Sequence, residues 1–241
     1  MDTVHMNASR STKASANEKE DEEQETLLVD VAWRRLRDDI VSGRLAPDAR
    51  LRVAKLRELY GIGASPLREA LSRLASDGFV RSIERRGFVV APVSLAEFRD
   101  LTNVRKNLER EALRLSLENG GDEWESRVTA DFYRLSKAQE RFDPADPETL
   151  RYWEEVNREF HETLVSACTS PWTLQFRRTV YSFAERYRRI CQTVTTISRD
   201  VHEEHMQIKD AALARDGETL MTLIDEHLER TYLKVVASGK I

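Results

Sequence analysis

The chain is 241 residues long, and 40% of its residues are hydrophobic and 33% are charged, which is typical of a protein that folds around a buried core. No apolar run approaches the roughly 20 residues that cross a bilayer. The two cysteines, Cys168 and Cys191, are too few for a disulfide scaffold. These features exclude a membrane protein and a disulfide-rich secreted domain, so we expect a cytoplasmic protein.

The net charge of −4 is unevenly distributed along the chain. Residues 1–26 carry 3 basic and 7 acidic side chains, residues 27–93 carry 13 and 8, and residues 94–241 carry 22 and 27. We interpret the polar, acidic residues 1–26 as a disordered tail. A basic segment followed by an acidic remainder is typical of a polyanion-binding domain attached to a separate body.

Two helices are predicted after the tail. The apolar residues Leu28, Ala32, Leu36 and Ile40 recur every four positions, which indicates an amphipathic helix. Ser42 and Gly43 end this helix, since glycine accepts the left-handed conformation at a helix end. A second, short helix is predicted over residues 53–60.

The third helix is predicted over residues 66–77. Ser65 is placed as its N-cap and Pro66 as its first residue, where a missing N–H costs nothing. Gly63 is the alternative cap.

A β-hairpin is predicted next, because the apolar runs 79–83 and 88–90 flank the polar segment 84–87. Three helices followed by a hairpin with a basic tip describe a winged helix-turn-helix over residues 27–92. In this fold one helix enters the DNA major groove.

The remainder of the chain shows only helical periodicity. Pro92 marks the boundary, and six helices separated by Gly, Pro and Ser residues predict an all-α bundle of six to seven helices over residues 94–237. The fold class is therefore mainly α. The predicted helices span residues 94–119, 122–141, 147–167, 172–191, 199–215 and 217–236.

Residues 62–71, with the sequence IGASPLREAL, closely resemble the recognition-helix signature of the GntR family of bacterial transcription regulators. The helical remainder resembles the FCD effector domain of the FadR subfamily. This resemblance implies a regulator rather than an enzyme. Such a regulator binds a palindromic operator in double-stranded DNA as a homodimer. It also implies a repressor whose DNA binding responds to a small carboxylate that binds the helical domain, where dimerisation is also expected.

The chain departs from the family pattern at one position of the recognition helix. Many members have Ser-Arg-Thr-Pro where this chain has Gly63, Ala64, Ser65 and Pro66. Ala64 replaces the arginine that would read guanine, so base reading is expected to use other residues or apolar contact with a thymine methyl group.

Candidate DNA-contacting residues are arginines, a serine and a glycine where the family touches DNA. A guanidinium group suits phosphates and guanine edges, and glycine allows close approach of the backbone. The alternative is an ordinary charged surface. The candidates are Arg52, Ser65, Arg68, Arg85, Arg86 and Gly87.

Three histidines have informative spacing. His205 and His227 lie 11 residues on either side of position 216, so an antiparallel helix pair turning there would place them at the same height. Asn157 precedes His161 by one helical turn. Three imidazoles and a side-chain oxygen suit a divalent transition metal, whereas the alternative is polar residues satisfied by hydrogen bonds.

The FCD resemblance implies that Asn157, His161, His205 and His227 are metal ligands. Zinc is the first expectation, with nickel or manganese as alternatives. Asn gives the site one negative charge less than the Asp of many relatives. His202 is excluded from the set, because the sequence His-Glu-Glu-His is one residue too short for a zinc-hydrolase helix.

Arg105 lies where FCD domains often carry an arginine that binds an effector carboxylate. The alternative is an exposed ion pair with Glu109, four residues later. Residues 63–67 (GASPL) and 120–124 (GGDEW) resemble a carbon-starvation subgroup that senses glutarate, so a dicarboxylate is a candidate effector. Two other functions stay open from the sequence, namely a metal-dependent hydrolase using the three histidines and a sensor of the metal itself.

Overall fold

The computed structural model describes residues 26–84, 87–143, 145–191 and 200–241. They form two compact units, one ending at Pro92 and the other beginning at Val93. The predicted fold class is confirmed, because a helix-turn-helix with a small sheet is followed by a unit whose described elements are all helices. The predicted tail at residues 1–26 lies outside the described residues except for Thr26.

The first unit packs three helices against a three-stranded sheet. Leu36 and Ile40 from the first helix are fully buried together with Leu67, Leu71 and Leu74 from the third, which the helical spacing of these apolar residues dictates. The elements are α1 (residues 26–41), β1 (Arg50–Leu51), α2 (Val53–Tyr60), α3 (Ala64–Ser76), β2 (Val80–Ile83) and β3 (Gly87–Val90).

The sheet is antiparallel, with the order β1-β3-β2. The β2–β3 hairpin corresponds to the predicted wing, and Ile83 pairs with Gly87 at its end. Gly87 has a φ of +88°, a conformation that glycine adopts without the penalty other residues incur. Strand β1 was not predicted, because two residues are too short for an alternating pattern. It is held by its pairing with β3, where Arg50 lies opposite Val89.

Helix α3 begins earlier than the predicted residue 66. Its N-cap is Gly63, and the first helical hydrogen bond joins the Leu67 N–H to the Gly63 carbonyl oxygen at 3.3 Å. The assignment of Ser65 as the N-cap is therefore wrong, and the alternative cap is correct. Pro66 is tolerated inside the first turn because the N–H groups there have no helical partner.

The second unit consists, in its described residues, of six helices, and four of them begin at a capping polar side chain. The side chains of Ser94, Asp146, Asp200 and Asp216 accept hydrogen bonds from backbone N–H groups in the first turns of their helices, as N-caps do. The helices are α4 (Leu95–Asn119), α5 (Asp122–Glu140), α6 (Pro147–Leu164), α7 (Pro171–Cys191), α8 (Val201–Leu213) and α9 (Gly217–Ala237).

The observed helices differ from the predicted ones mainly at their ends. Helix α6 stops at Leu164 rather than residue 167, because the N–H groups of Val165 and Ser166 bond three residues back and tighten the chain. A main core lies among helices α4, α5, α6, α8 and α9 and includes Leu113, Phe160 and Ile208. Among the described residues, no helix combines the length and the apolar character needed to cross a membrane.

Gly120, between α4 and α5, provides a stability test. A Cβ atom there would lie 2.7 Å from the Trp124 ring and 2.8 Å from the Ser116 carbonyl oxygen, whereas one on Gly121 would meet nothing within 4 Å. We expect Gly120→Ala to lower the free energy of unfolding by about 1–3 kcal/mol, as overpacking does. Gly121→Ala, the matched control, should change it by less than about 0.5 kcal/mol. Urea denaturation of both variants tests this, and equal midpoints would contradict it.

Candidate functional site

Three histidines are buried in the core of the second unit. His161 lies on α6, His205 on α8 and His227 on α9, and their exposed fractions are 3%, 2% and 6%. Each histidine lies on the buried face of its helix. Phe160, next to His161 in the chain, belongs to the main core. Three titratable rings are therefore buried in the unit. Buried polar groups require partners, because leaving them without any is costly.

The three rings form one cluster. The Nε2 atoms of His161 and His205 are 3.3 Å apart, and the ring centroids are separated by 5.2 Å (161–205), 5.2 Å (161–227) and 4.9 Å (205–227). One ligand atom from each ring lies within 4.8 Å of the others. Neutral imidazoles converging in this way are a common zinc or nickel donor set. His202 lies outside the cluster, partly buried with its ring stacked on Phe132.

The surroundings of His161 favour its neutral form. Burial lowers the pKa of His161 well below its ordinary value, and the neighbouring His205 and His227 lower it further. A histidine must be neutral to bind a metal, so this environment prepares His161 for ligation rather than for proton storage.

Glu204 orients one of the three rings. His227 Nδ1 lies 2.8 Å from Glu204 Oε2, so this N–H donates to the carboxylate and leaves Nε2 as the ligand atom. A carboxylate behind a histidine is the usual second contact of a metal-binding imidazole. The sequence analysis did not assign this role to Glu204, although Glu204 and His227 stand at nearly equal distances from the α8–α9 turn.

Asn157 supplies an acceptor whose bonding capacity is unused. Its side chain is 1% exposed, and its Oδ1 atom has no hydrogen-bond partner among the described residues. A buried acceptor left in this state costs about 1–3 kcal/mol. Because Asn157 lies one turn before His161, a cation held by the histidines would satisfy it. The residues present therefore fit a divalent metal.

Arg105 is part of a buried ion-pair network. Arg105 and Glu109 are 4% and 3% exposed, and Arg105 Nε lies 3.2 Å from Glu109 Oε1. The alternative of an exposed pair is therefore wrong. The Arg105 guanidinium also stacks 4.5 Å from the centre of the Tyr181 ring. Burial lowers the pKa of Arg105 from its ordinary value, and Glu109 acts in the opposite direction.

Arg177 connects this network to the histidine cluster. Its side chain is fully buried, its Nε donates to Glu109 Oε2 at 2.8 Å, and it also pairs with Glu162. Its Nη2 donates to the carbonyl oxygen of His161 at 3.0 Å. These ion pairs and this hydrogen bond join helices α4, α6 and α7 next to the candidate ligand His161. Nothing in the local sequence distinguishes Arg177 from an exposed arginine, so the sequence analysis missed it.

A cavity of about 80 Å³ adjoins the cluster. Two of the candidate metal ligands, Asn157 and His227, lie in its wall, and Arg105 is not among the lining residues. The wall also contains two cations, one carboxylate and several apolar side chains. The lining residues are Trp153, Glu154, Asn157, Arg188, Cys191, Val201, His227, Thr231, Lys234 and Val235.

In the first unit, α3 presents one polar face to solvent. Leu67, Ala70 and Leu71 are buried, whereas Ser65 and Arg68 are exposed.

The other candidate DNA contacts of the first unit lie outside α3. Arg52, the N-cap of α2, is exposed, as is Gly87 at the start of β3. Arg85 and Arg86 lie outside the described residues. Neither Arg52 nor Arg68 forms an ion pair with a described residue, so both guanidinium groups are available for phosphates or bases.

Both units match known families. Residues 28–90 match the bacterial regulatory proteins of the gntR family, and residues 100–230, more than half of the chain, match the FCD domain. The chain belongs to the GntR family. Its members are transcription regulators with a helix-turn-helix DNA-binding domain and, here, an FCD effector domain. This membership does not support the hydrolase alternative.

The chain is similar to two curated relatives over most of its length. It is 44% identical over 202 residues to the uncharacterized HTH-type transcriptional regulator BphR of Paraburkholderia xenovorans, covering 84% of this chain and 82% of BphR. It is 36% identical over 200 residues to the HTH-type transcriptional repressor GlaR of Escherichia coli, covering 81% and 90%.

A solved structure shares the fold. The structure of E. coli McbR/YncC superposes with a TM-score of 0.74 over 87% of this chain and 97% of that protein. At 22% sequence identity, this likeness supports the fold alone.

Proposed function

We propose that this GntR-family chain is a repressor that binds a palindromic operator as a homodimer, and that a small carboxylate binding near a metal in the second unit changes its affinity for that operator. The observation that carries this proposal is the cluster of three buried imidazoles beside an unsatisfied Asn157 oxygen and a cavity. Buried polar groups are costly unless they have partners, and a bound metal and its ligand would supply them.

The proposed metal ligands are Asn157, His161, His205 and His227, and the metal is zinc, nickel or manganese. Such a cation would act as a Lewis acid that binds the effector carboxylate. Because all four ligands are neutral, the metal would keep its full charge, which strengthens the attraction for an anion. Glu204 lies behind His227 and balances part of this charge.

The proposed DNA interface uses the exposed face of α3 together with the wing. Arg68 reads a base edge, Ser65 donates a hydrogen bond near the start of the helix, and the remaining residues contact the DNA backbone. The repressor role takes support from GlaR, whose name describes a repressor. The remaining proposed contacts are Arg52, Arg85, Arg86 and Gly87.

An arginine substitution tests the DNA interface. Arg68→Ala is expected to weaken binding to a fragment from upstream of the chain's own gene by about 1–3 kcal/mol, the value of a base contact. Arg114→Ala is the charge-matched control, because Arg114 is exposed on α4 and its ion pairs with described residues are those to nearby Glu111 and Glu118. Mobility shift at fixed salt concentration measures both variants. Equal affinities of the two variants would contradict the assignment of Arg68.

A metal sensor is the second candidate, because the same cluster would serve it. In that case zinc titration in the absence of any organic acid would change the operator affinity. If the acid is the effector, operator affinity changes only when the acid is added.

A further inference from the structure

The proposed DNA-binding surface of the first unit carries exposed cations. Arg52, Lys55 and Arg68 are exposed, and none of them forms an ion pair with a described residue. Lys55 lies one helical turn after Arg52, so the two side chains share one side of α2. Arg52 and Arg68 both belong to the proposed DNA interface. These three residues are called the basic face below.

The sequence places an acidic segment directly before this unit. Residues 18–25, with the sequence EKEDEEQE, carry six carboxylates and one lysine. The next residue, Thr26, is the first residue of α1. Exposed opposite charges attract only within about one Debye length, roughly 8 Å at physiological salt. The segment therefore interacts with the basic face only if it can reach it.

The start of α1 lies beside α3, within reach of the basic face. Asp30, one turn after the start of α1, has its Oδ1 atom 2.9 Å from Arg73 Nη1 on α3. Arg68 precedes Arg73 by five residues, which is about 8 Å along a helix axis. Eight extended residues span up to roughly 26–29 Å. Residues 18–25 are thus long enough to reach Arg68 without any change in α1.

We propose that residues 18–25 bind the basic face when DNA is absent, and that DNA must displace them. This inference rests on the proposed DNA interface and adds a second, intramolecular ligand of the same surface. Carboxylates accept hydrogen bonds from guanidinium and ammonium groups, as phosphate oxygens do. Because the segment is joined directly to α1, its effective concentration at the face is on the order of millimolar.

Neutralising the segment is expected to strengthen DNA binding. A neutral-segment variant with Glu20→Gln, Asp21→Asn, Glu22→Gln and Glu23→Gln keeps the length of the chain. At low salt it should bind the upstream DNA fragment about 3–30-fold more tightly than wild type, because each exposed ion pair contributes a factor of about 1.4–5. At about 0.5 M salt the difference should fall below about twofold, since salt screens exposed pairs. Fluorescence anisotropy of the full-length chain measures both values.

A second comparison separates binding to the basic face from simple repulsion between the segment and DNA. In an Arg68→Ala background, the gain in affinity from the neutral-segment substitutions should be at least about twofold smaller, because interacting groups are coupled. In the Arg114→Ala background, which serves as the control, the full gain should remain. Equal gains in all three backgrounds would mean that the segment only repels DNA, and would overturn the inference.

Carbodiimide cross-linking tests the contact in the absence of DNA. Lys55 is the only lysine in the sequence of residues 26–92. The reagent joins a carboxylate and an amine as an amide and takes up the water that is lost. Peptide mass spectrometry of the full-length chain should detect an amide between residues 18–25 and Lys55. An excess of the DNA fragment should abolish it.

Two further results would overturn the inference. One is an unchanged DNA affinity of the neutral-segment variant at low salt, with circular dichroism showing that the variant is folded. The other is the absence of the cross-link to Lys55 in the wild-type chain. If the wild-type chain binds no DNA at all, the proposed function fails, whereas the cross-link is measured without DNA and still decides this inference.

Discussion

His161→Gln is expected to remove most of the stabilisation of the protein by zinc. His161 Nε2 lies 3.3 Å from the same atom of His205, close enough for both rings to bind one ion. At free zinc concentrations about 1,000-fold above the dissociation constant, binding stabilises the native state by about 4 kcal/mol. The variant should lose most of this gain, which thermal unfolding with and without zinc measures.

The matched control for this experiment is His202→Gln. His202 is also a histidine of the second unit, but its ring stacks on Phe132 with a centroid separation of 5.7 Å and takes no part in the cluster. This variant should bind one zinc ion per chain and keep the full zinc-dependent increase in Tm. An equal increase in Tm for the His161 variant and for wild type would show that zinc binds elsewhere.

Glu109→Gln is expected to cause the largest loss of stability, about 3–5 kcal/mol. Glu109 is the shared partner of two buried arginines, Arg105 and Arg177. Neutralising Glu109 leaves the two arginine charges poorly compensated in the core. Removing one partner of a buried ion pair is far more costly than removing one partner of an exposed pair. Glu111→Gln, two residues later on the exposed face of α4, should cost less than about 1 kcal/mol. Equilibrium urea unfolding at neutral pH compares the two variants.

The same network predicts a dependence of stability on pH. Burial alone would raise the pKa of Glu109, but Arg177 and Arg105 lower it below its ordinary value of 4.5. A depressed pKa means that this stabilisation is fully present above the unfolded-state pKa and is lost as the pH falls through the folded-state pKa. Wild-type protein should therefore lose more stability on acidification below about pH 4.5 than Glu109→Gln. Parallel losses would contradict the assigned role of Glu109.

Much of the fold follows from local sequence patterns. Helix boundaries in the second unit follow from residues that break or cap a helix, such as Gly120 and Asp216, because these act on the backbone next to them. The facing positions of His205 and His227 follow from the geometry of an antiparallel helix pair.

Other features depend on tertiary contacts and could not be predicted. Arg177 has the same local sequence character as an exposed arginine, and only the packing of α4, α6 and α7 makes it buried. Arg105 was expected to bind the effector, but its position next to Glu109 and Arg177 depends on three helices. Strand β1 forms because its backbone pairs with that of β3.

The central claim is that an acid bound in the second unit and DNA bound to the first influence each other. Fluorescence anisotropy of the zinc-loaded chain on its upstream DNA fragment, with and without saturating glutarate or succinate, tests this most directly. One of these acids is expected to change the DNA dissociation constant by about 5–150-fold. DNA is expected to change the dissociation constant of that acid by the same factor. An unchanged DNA affinity at an acid concentration that titration shows to be saturating would contradict the account.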